Sequence, residues 1–177
     1  MTSMKATLFE VPIIHLMVEN WQEKKQKLVN IIKLVNSKIN LSNNIYTDYF
    51  TNQNSYDKNI AEIFSSEIDS INSLLNQNLC IDNCWFQVAK KHNYHGPHTH
   101  GAIGYSVVCY IQYNKNLHPG ITLVAPFSDF ITGYPIECKP NISEGSLLCF
   151  PSNVLHYTEP NLSDIDRIIL SFNLKCR

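Results

Sequence analysis

The segment GSLLCFPSNVLHYTEPN, residues 145–161, decides the fold of this chain. It contains a turn glycine (Gly145), a short apolar run, a proline corner (Pro151) and then His156 at the start of another short run. Short apolar runs bounded by turn residues are typical of the strands of a β-sandwich or barrel. Such folds bring distant strands together across their interior, so His156 is expected to meet residues from elsewhere in the chain.

The same pattern surrounds this segment. From Cys80 to the end of the chain, short apolar or alternating runs are separated by turn residues. Runs of this length and spacing predict β-strands. The predicted strands cover residues 81–89, 102–113, 121–127, 146–150 and 167–174. A β-sandwich or jelly roll is therefore predicted for this part of the chain.

Two amphipathic helices are predicted before this region. The first begins at Asn20, and Glu23 stands at the position that would complete a capping box. The second covers residues 56–77, and both helices carry apolar residues at helical spacing along one stripe. Amphipathic helices next to a sheet are most simply a layer that buttresses it.

Two further segments complete the N-terminal part. Residues 8–17 predict a short strand, which Pro12 restricts to the edge of a sheet, and such an edge makes a homodimer conceivable. Residues 41–54, rich in Asn, Ser and Thr, predict a loop. The chain contains neither a repeat nor a linker. Residues 1–177 are therefore expected to form a single domain with an α+β, mainly β fold, in which two N-terminal helices buttress a jelly-roll core.

The composition restricts the partners that the protein can have. Lys and Arg number 14 and Asp and Glu 15, so the formal net charge is −1 and no basic field favours nucleic acid. No apolar run approaches the roughly 18 residues that span a bilayer, and we expect neither a membrane anchor nor a signal peptide. The six cysteines lack CxxC spacing and predict buried thiols. A cytoplasmic protein is the expectation.

Four of the seven histidines lie in KKHNYHGPHTHG, residues 90–101. Side chains two apart in an extended segment point to the same face, so His98 and His100 could direct two imidazoles at one point. Together with His156 they predict a mononuclear metal site, although neutral imidazole suits Fe, Zn, Cu and Ni alike. His95 could line the mouth of this site or be an exposed loop residue.

Arg167 stands eleven residues after His156, at the head of the apolar run RIILSFNL. It is the only arginine besides the terminal Arg177. A guanidinium group is the side chain best matched to a planar carboxylate, which suggests an acidic ligand. The alternative is a surface arginine paired with Asp164 or Asp166.

Taken together, the HxH pair, the distant histidine and the arginine resemble the double-stranded β-helix oxygenases that use Fe(II) and 2-oxoglutarate. More narrowly, the chain resembles the small 2OG-Fe(II) oxygenase family found in phages and bacteria. The resemblance covers almost the whole chain and is most specific in residues 98–110 and 145–173. Its remaining elements are the LF-x-x-P-I opening (Leu8, Phe9, Pro12, Ile13), the segment 120–126 and the segment 140–156.

The sequence also departs from that family at three positions, and from the wider superfamily at a fourth. Gly101 stands where the family has proline, and Val107 and Cys109 replace glycine and tyrosine. Most members of the wider superfamily have Asp or Glu where this chain has His100. Three histidines leave the metal one negative charge poorer than the usual pair of histidines with a carboxylate.

The resemblance implies a dioxygenase that hydroxylates an unidentified substrate and releases succinate and CO2. His98, His100 and His156 would hold Fe(II), which would take 2-oxoglutarate and O2 as cosubstrates. Arg167 would bind the C5 carboxylate of 2-oxoglutarate, and Ser171 and Tyr110 could donate further hydrogen bonds to it. The family also implies the cytoplasm of a bacterial or phage-infected cell.

Three other functions are compatible with parts of the pattern. A cupin-type three-histidine metalloprotein is favoured by the spacing of Gly145, Pro151 and His156, but it lacks the expected glutamate after His100 and gives Arg167 no role. A zinc hydrolase would need a general base, which the sequence does not identify. A non-enzymatic binding protein on an oxygenase fold is the third, since fold does not fix function.

Overall fold

A computed structural model describes residues 10–51 and 55–177. Within these ranges the helices are Trp21–Val35 (α1), Asp57–Ile63 (α2) and Ser65–Leu75 (α3), with a 3-10 turn at Asn36–Lys38. The strands are Ile14–Met17 (β1), Asn40–Ser42 (β2), Ile45–Thr47 (β3), Leu79–Ala89 (β4), His95–His98 (β5), Tyr105–Gln112 (β6), Ile121–Ser128 (β7), Pro135–Cys138 (β8), Ser146–Pro151 (β9), Leu155–Thr158 (β10) and Arg167–Cys176 (β11).

The strands form two antiparallel sheets. A seven-stranded major sheet has the order β1-β9-β6-β11-β4-β3-β2, and a four-stranded minor sheet has the order β5-β10-β7-β8. Strands that are distant in the chain are neighbours in both sheets, as a jelly roll requires. This arrangement confirms the predicted α+β, mainly β fold.

The major sheet has a different environment on each face, because successive side chains of a strand point to opposite sides. On β11, Leu170 and Phe172 are fully buried in a cluster with helix residues such as Ile60 and Phe64. Ile169, between Leu170 and the start of the strand, instead joins a second cluster with residues of the minor sheet. Full burial of each such side chain contributes roughly 1.5–3 kcal/mol. The helices therefore buttress one face, and the other face borders the interior of the jelly roll.

The helices differ from the sequence-based expectation in two details. The single helix predicted over residues 56–77 is interrupted at Phe64, whose backbone is not helical and whose ring lies 5.8 Å from that of Phe172. The predicted capping box was wrong, because Asn20 is in the left-handed region (φ 50°) and makes no side-chain cap. Glu23 instead pairs with Lys27 at 2.6 Å, one turn further along the helix.

The predicted loop over residues 41–54 was wrong in its first half. The chain there forms a hairpin of β2 and β3, joined by Asn43 and Asn44 with φ of 47° and 64°. A two-residue hairpin turn of this kind needs two positive φ values, which asparagine tolerates better than most residues. Strand β8, on residues 135–138, was not predicted.

The N-terminal strand is shorter than predicted. Of residues 8–17, only Ile14–Met17 are a strand, and this strand lies at the edge of the major sheet as Pro12 suggested. Leu8 and Phe9 lie outside the described residues. All six cysteines lie inside the described ranges, and no disulfide joins any two of them. No helix formed by residues 10–51 or 55–177 has the length and apolar character of a membrane span.

Asp48 connects the segment after β3 to the centre of the major sheet. Its carboxylate is fully buried, and it accepts hydrogen bonds from the Phe86 backbone N–H (2.8 Å) and the Tyr56 hydroxyl (2.5 Å). Burial raises the pKa of Asp48 above its usual value, although the two hydrogen bonds act in the opposite direction. The segment between Asp48 and Tyr56 is therefore held to the sheet at both ends.

This raised pKa predicts a pH-dependent stability. Asp48 binds its proton more tightly in the folded chain than in the unfolded chain, so its contribution to stability is present at low pH and is lost as the pH rises through the folded pKa. Asparagine imitates the protonated acid and does not ionise. We therefore expect the free energy of unfolding of Asp48→Asn, relative to that of the wild type, to increase as the pH rises from about 4 through the folded pKa of Asp48.

Denaturant unfolding at several pH values measures this difference. Asp164→Asn is the matched control, because Asp164 is an exposed acid paired with Lys91 on the surface. A difference between Asp48→Asn and the wild type that stays constant with pH would contradict the prediction.

Candidate active site

Strand pairing brings two of the three predicted metal-binding histidines together. His98 on β5 and His156 on β10 are direct partners in the minor sheet, and their ring centroids are 4.2 Å apart. His100 lies two residues beyond the end of β5, with its ring 5.3 Å from that of His98 and 5.0 Å from that of His156. One nitrogen of each imidazole lies within 4.8 Å of the other two. This spacing is suitable for a single metal ion between them.

The hydrogen bonds of His98 and His156 determine which ring nitrogen is available. Nδ1 of His98 lies 2.8 Å from the carbonyl oxygen of Gly96, and Nδ1 of His156 lies 2.9 Å from that of Val154. A carbonyl oxygen only accepts, so each Nδ1 carries the proton and donates it. The Nε2 lone pairs remain available, which is the usual arrangement of metal-binding histidines.

His100 is oriented by side chains rather than by the backbone. Its Nδ1 lies 2.9 Å from Oδ1 of Asn173 and 2.7 Å from Oγ of Ser106. The amide nitrogen of Asn173 donates to Asn83 (2.9 Å), so its oxygen faces His100. Nδ1 of His100 is therefore a donor to Asn173, and Nε2 is again the nitrogen available to a metal.

The loop that carries His100 depends on two glycines. The His100 N–H donates to the carbonyl of Ser152 (2.8 Å), and the Ser152 N–H donates to the carbonyl of Gly104 (2.9 Å). A side chain at Gly104 would meet the carbonyl oxygen of Leu174 at 2.4 Å. Gly101 has φ of 77°, which proline cannot adopt because its ring holds φ near −65°. The proline of the family motif is therefore incompatible with the backbone observed at this position.

The imidazoles of this group are held in their neutral form. Burial lowers the pKa of His98 and His100, and it lowers the pKa of His156 to about 3, with the neighbouring His98 acting in the same direction. Only a neutral imidazole offers a lone pair to a metal. The three side chains are therefore in the protonation state that metal binding requires.

Arg167 is buried and has no acidic partner in residues 10–51 or 55–177. Only 2% of it is exposed, Nη1 donates to the carbonyl of Pro119 (3.0 Å), and Nε makes no hydrogen bond with any described residue. The alternative of a surface arginine paired with Asp164 or Asp166 was wrong, because Arg167 is buried and, among the described residues, forms no salt bridge with either acid. Burial lowers the pKa of Arg167, but a guanidinium group stays charged in proteins. A buried cation without a counter-ion is costly, so this position is suited to an anionic ligand.

One narrow cavity unites all six predicted site residues. Arg167 and Ser171 lie on the same face of β11, and Tyr110 on the neighbouring β6 is 1% exposed. Burial raises the pKa of Tyr110, so its hydroxyl keeps its proton and can donate. The predicted residues that line this cavity are His98, His100, Tyr110, His156, Arg167 and Ser171.

Three further residues line this cavity. For His95 the sequence left two alternatives, and the exposed loop residue was wrong: it lies half-buried on β5, and its ring centroid is 3.8 Å from that of His98. Gln87 on β4 and Thr158 on β10 also line the cavity. Gln87 had a recognisable signal, because it is a polar residue in the apolar run of β4 and shares a face with Trp85.

A second and larger cavity of about 310 Å³ adjoins the same histidines. Its lining includes His95, His98 and His100. It also includes the aromatic residues Tyr49, Phe50 and Trp85. Tyr49 packs edge-to-face against Phe50 (5.0 Å) and against Trp85 (4.9 Å), and Trp85 lies 5.3 Å from His100. His95, His98 and His100 therefore line both a narrow cavity, which contains the cation of Arg167, and a wider one with aromatic walls.

Solved structures with similar folds come from several oxygenases. A prolyl-4-hydroxylase from Pseudomonas putida has a TM-score of 0.64 at 14% identity, with 93% of this chain and 92% of that chain covered. The viral collagen prolyl hydroxylase of Paramecium Bursaria Chlorella virus-1, in its 2OG complex, has 0.60 at 16%, with 93% and 96% covered. HygX from Streptomyces hygroscopicus, with nickel and 2-oxoglutarate bound, has 0.66 at 12%, with 94% and 83% covered. At these identities the likeness shows the fold.

The family follows from the sequence comparison. No curated protein matches the chain. A family model described as "Putative 2OG-Fe(II) oxygenase" matches residues 83–173, just over half of the chain. The matched segment begins in β4 and ends in β11, so it includes all six predicted site residues. The protein belongs to the 2OG-Fe(II) oxygenase family.

Proposed function

We propose that this 2-oxoglutarate-dependent oxygenase hydroxylates its primary substrate and releases succinate and CO2. The observation that carries the proposal is the buried guanidinium of Arg167, which has no carboxylate partner among the described residues and lines the same cavity as the three histidines. We further propose that the chain is one oxygenase domain, because the helices and the jelly roll share the major sheet.

The first element of the proposal is the metal. The family uses Fe(II), and we assign it to His98, His100 and His156 because their available nitrogens are close together and neutral. Iron bound there would bring together 2-oxoglutarate and O2, which is the oxidant: one oxygen atom would enter succinate as 2-oxoglutarate loses CO2, and the other would enter the new hydroxyl group. The protein contributes the orientation of each ring, through the carbonyls of Gly96 and Val154 and through Asn173.

The second element is the cosubstrate. Arg167 is suited to the C5 carboxylate of 2-oxoglutarate, because its Nη1 is held by Pro119 and its Nε has a hydrogen bond to give. Charge-assisted pairs of this kind are the strongest that a carboxylate makes. Tyr110 and Ser171 line the same cavity, and we assign them supporting hydrogen bonds to the cosubstrate.

The alternatives explain less of the site. A cupin-type metalloprotein or a zinc hydrolase would use the three histidines but would leave the charge of Arg167 uncompensated. Neither Asp nor Glu is among the described residues that line the two cavities, so a hydrolase would have no carboxylate base there. The family match and Arg167 together favour the oxygenase.

Removal of a proposed metal ligand should weaken the binding of Fe(II). His100→Ala and His156→Ala each remove one imidazole, and we expect the affinity for Fe(II) to fall by more than about 100-fold, since changes to the supporting hydrogen bonds of a metal ligand alone cost roughly 10–100-fold. Anaerobic competition with a chelator measures the affinity. The metal-to-ligand charge-transfer absorption with Fe(II) and 2-oxoglutarate should disappear in parallel.

His92→Asn is the matched control for these variants. His92 is exposed and has a left-handed backbone, with φ of 68°, which asparagine tolerates. The control should bind Fe(II) as the wild type does. An unchanged affinity in His100→Ala would mean that the third ligand is another residue.

Replacement of Arg167 should weaken the binding of 2-oxoglutarate. In Arg167→Gln, the dissociation constant for 2-oxoglutarate should rise by at least about 30-fold, which corresponds to roughly 2 kcal/mol for the loss of a buried charge pair. The free energy of unfolding without 2-oxoglutarate should not decrease, because the variant removes an uncompensated buried charge. 2-oxoglutarate should raise the melting temperature of the Fe(II)-loaded wild type much more than that of the variant.

Calorimetric titration measures the dissociation constant for 2-oxoglutarate. Thermal unfolding of the Fe(II)-loaded protein, with and without 2-oxoglutarate, measures the stabilisation. Lys91→Gln removes a surface cation instead and should behave as the wild type in every measurement. Equal stabilisation of Arg167→Gln and the wild type by 2-oxoglutarate would exclude Arg167 as the carboxylate-binding residue.

A further inference from the structure

The larger cavity is lined by two of the three proposed metal ligands, His98 and His100, and by His95. A molecule in this cavity would therefore lie beside a metal held by His98, His100 and His156. Arg167, Tyr110 and Ser171 line only the narrow cavity. The two cavities therefore suit two different molecules.

The larger cavity contains no charged side chain among the described residues that line it. Apart from the histidines, its walls consist of aromatic, aliphatic, hydroxyl and amide groups. An ammonium, carboxylate or phosphate group that entered this cavity would lose its water without gaining a counter-ion, which is strongly unfavourable.

Gln87 indicates which polar group the ligand should carry. It is 5% exposed, lines both cavities, and its amide forms no hydrogen bond with any residue that the structure describes. Among the described residues, Arg167 Nε is the one fully buried side-chain nitrogen or oxygen without a partner, so the amide atoms of Gln87 are accessible from the cavity and available to a ligand. An amide both donates and accepts, which matches a neutral amide or hydroxyl group in the ligand.

The aromatic residues complete the recognition surface. Phe50 is 69% exposed, Tyr49 is 48% exposed and Trp85 is 4% exposed, so the rings lead from solvent to His100. Aromatic rings provide a large contact area for neutral groups without supplying a counter-ion. The open end at Phe50 leaves room for the rest of a larger molecule.

We propose that the primary substrate presents an uncharged group carrying an amide or hydroxyl to this cavity, where Gln87 reads its polar atoms and Trp85 and Tyr49 contact its carbon atoms. Free amino acids, organic acids and phosphate esters are thereby excluded as the group next to the metal. A capped amino-acid residue and a neutral small molecule share the required chemistry. The inference rests on the proposed function, because the metal lies beside this cavity only if the histidines bind it.

Paired probes that differ only in charge test this inference. N-acetyl amino-acid N-methylamides would be compared with the corresponding free amino acids, and nucleosides with their 5′-monophosphates, on the anaerobic protein loaded with Fe(II) and 2-oxoglutarate. The readout is tryptophan fluorescence in a Trp21→Phe background, so that Trp85 is the only tryptophan. We expect neutral members to quench at millimolar concentration and to bind at least about tenfold more tightly than their charged partners.

Each outcome has a definite meaning. Equal or tighter binding of the charged members would overturn the inference, and so would a lack of response to every neutral probe. Quenching by capped amino acids alone indicates a residue within a peptide, whereas quenching by nucleosides alone indicates a small molecule. The charge-transfer absorption is recorded in the same sample, and its absence would count against the proposed function rather than against this inference.

Two variants test the named features. Gln87→Leu should weaken the binding of neutral amide probes more than it weakens that of 2-oxoglutarate, and the opposite order would assign Gln87 to the cosubstrate. Ile103→Arg introduces a cation at the partly exposed rim of the cavity and should improve the binding of the phosphorylated or acidic partners. Ile103→Gln is its neutral control and should leave the preference for uncharged probes in place.

Discussion

Both the hydrophobic core and the candidate site depend on the alternation of side chains along β11. Leu170 and Phe172 point to the helices, whereas Arg167 and Ser171 point into the jelly roll. A shift of one residue in the pairing would exchange the two sets. Arg167 would then point to the helices and Leu170 into the candidate site. Pairing with β4 on one side and β6 on the other prevents this shift, because apolar residues on all three strands would have to move together.

Much of this arrangement could be predicted from the sequence, because strand periodicity is a local property. The apolar runs indicated the central strands, and parity indicated that Arg167 and Ser171 share a face. The HxH spacing and the family resemblance indicated that His98, His100 and His156 would be close together, and they are. Their role as metal ligands stays a prediction, as do the roles of Arg167, Tyr110 and Ser171.

The remainder depends on contacts that a local pattern does not contain. Asn173 orients His100 from 73 positions away in the chain, and no local pattern relates the two. The break at Phe64 accompanies packing against Phe172, also a distant residue. The hairpin at Asn43 and Asn44 is different, because consecutive asparagines are a recognisable turn signal that the polar composition of the segment concealed.

Asp48 anchors a segment that lines the larger cavity but carries none of the proposed metal or cosubstrate ligands. It joins the segment that carries Tyr49 and Phe50 to the sheet through Tyr56 and Phe86, whereas the histidines and Arg167 come from or next to the strands of the jelly roll. Replacement of that segment between its two anchors would alter the walls of the larger cavity and leave the strands in register. During divergence, a lineage could therefore acquire new substrates by loop exchange while it inherits its oxidative chemistry unchanged.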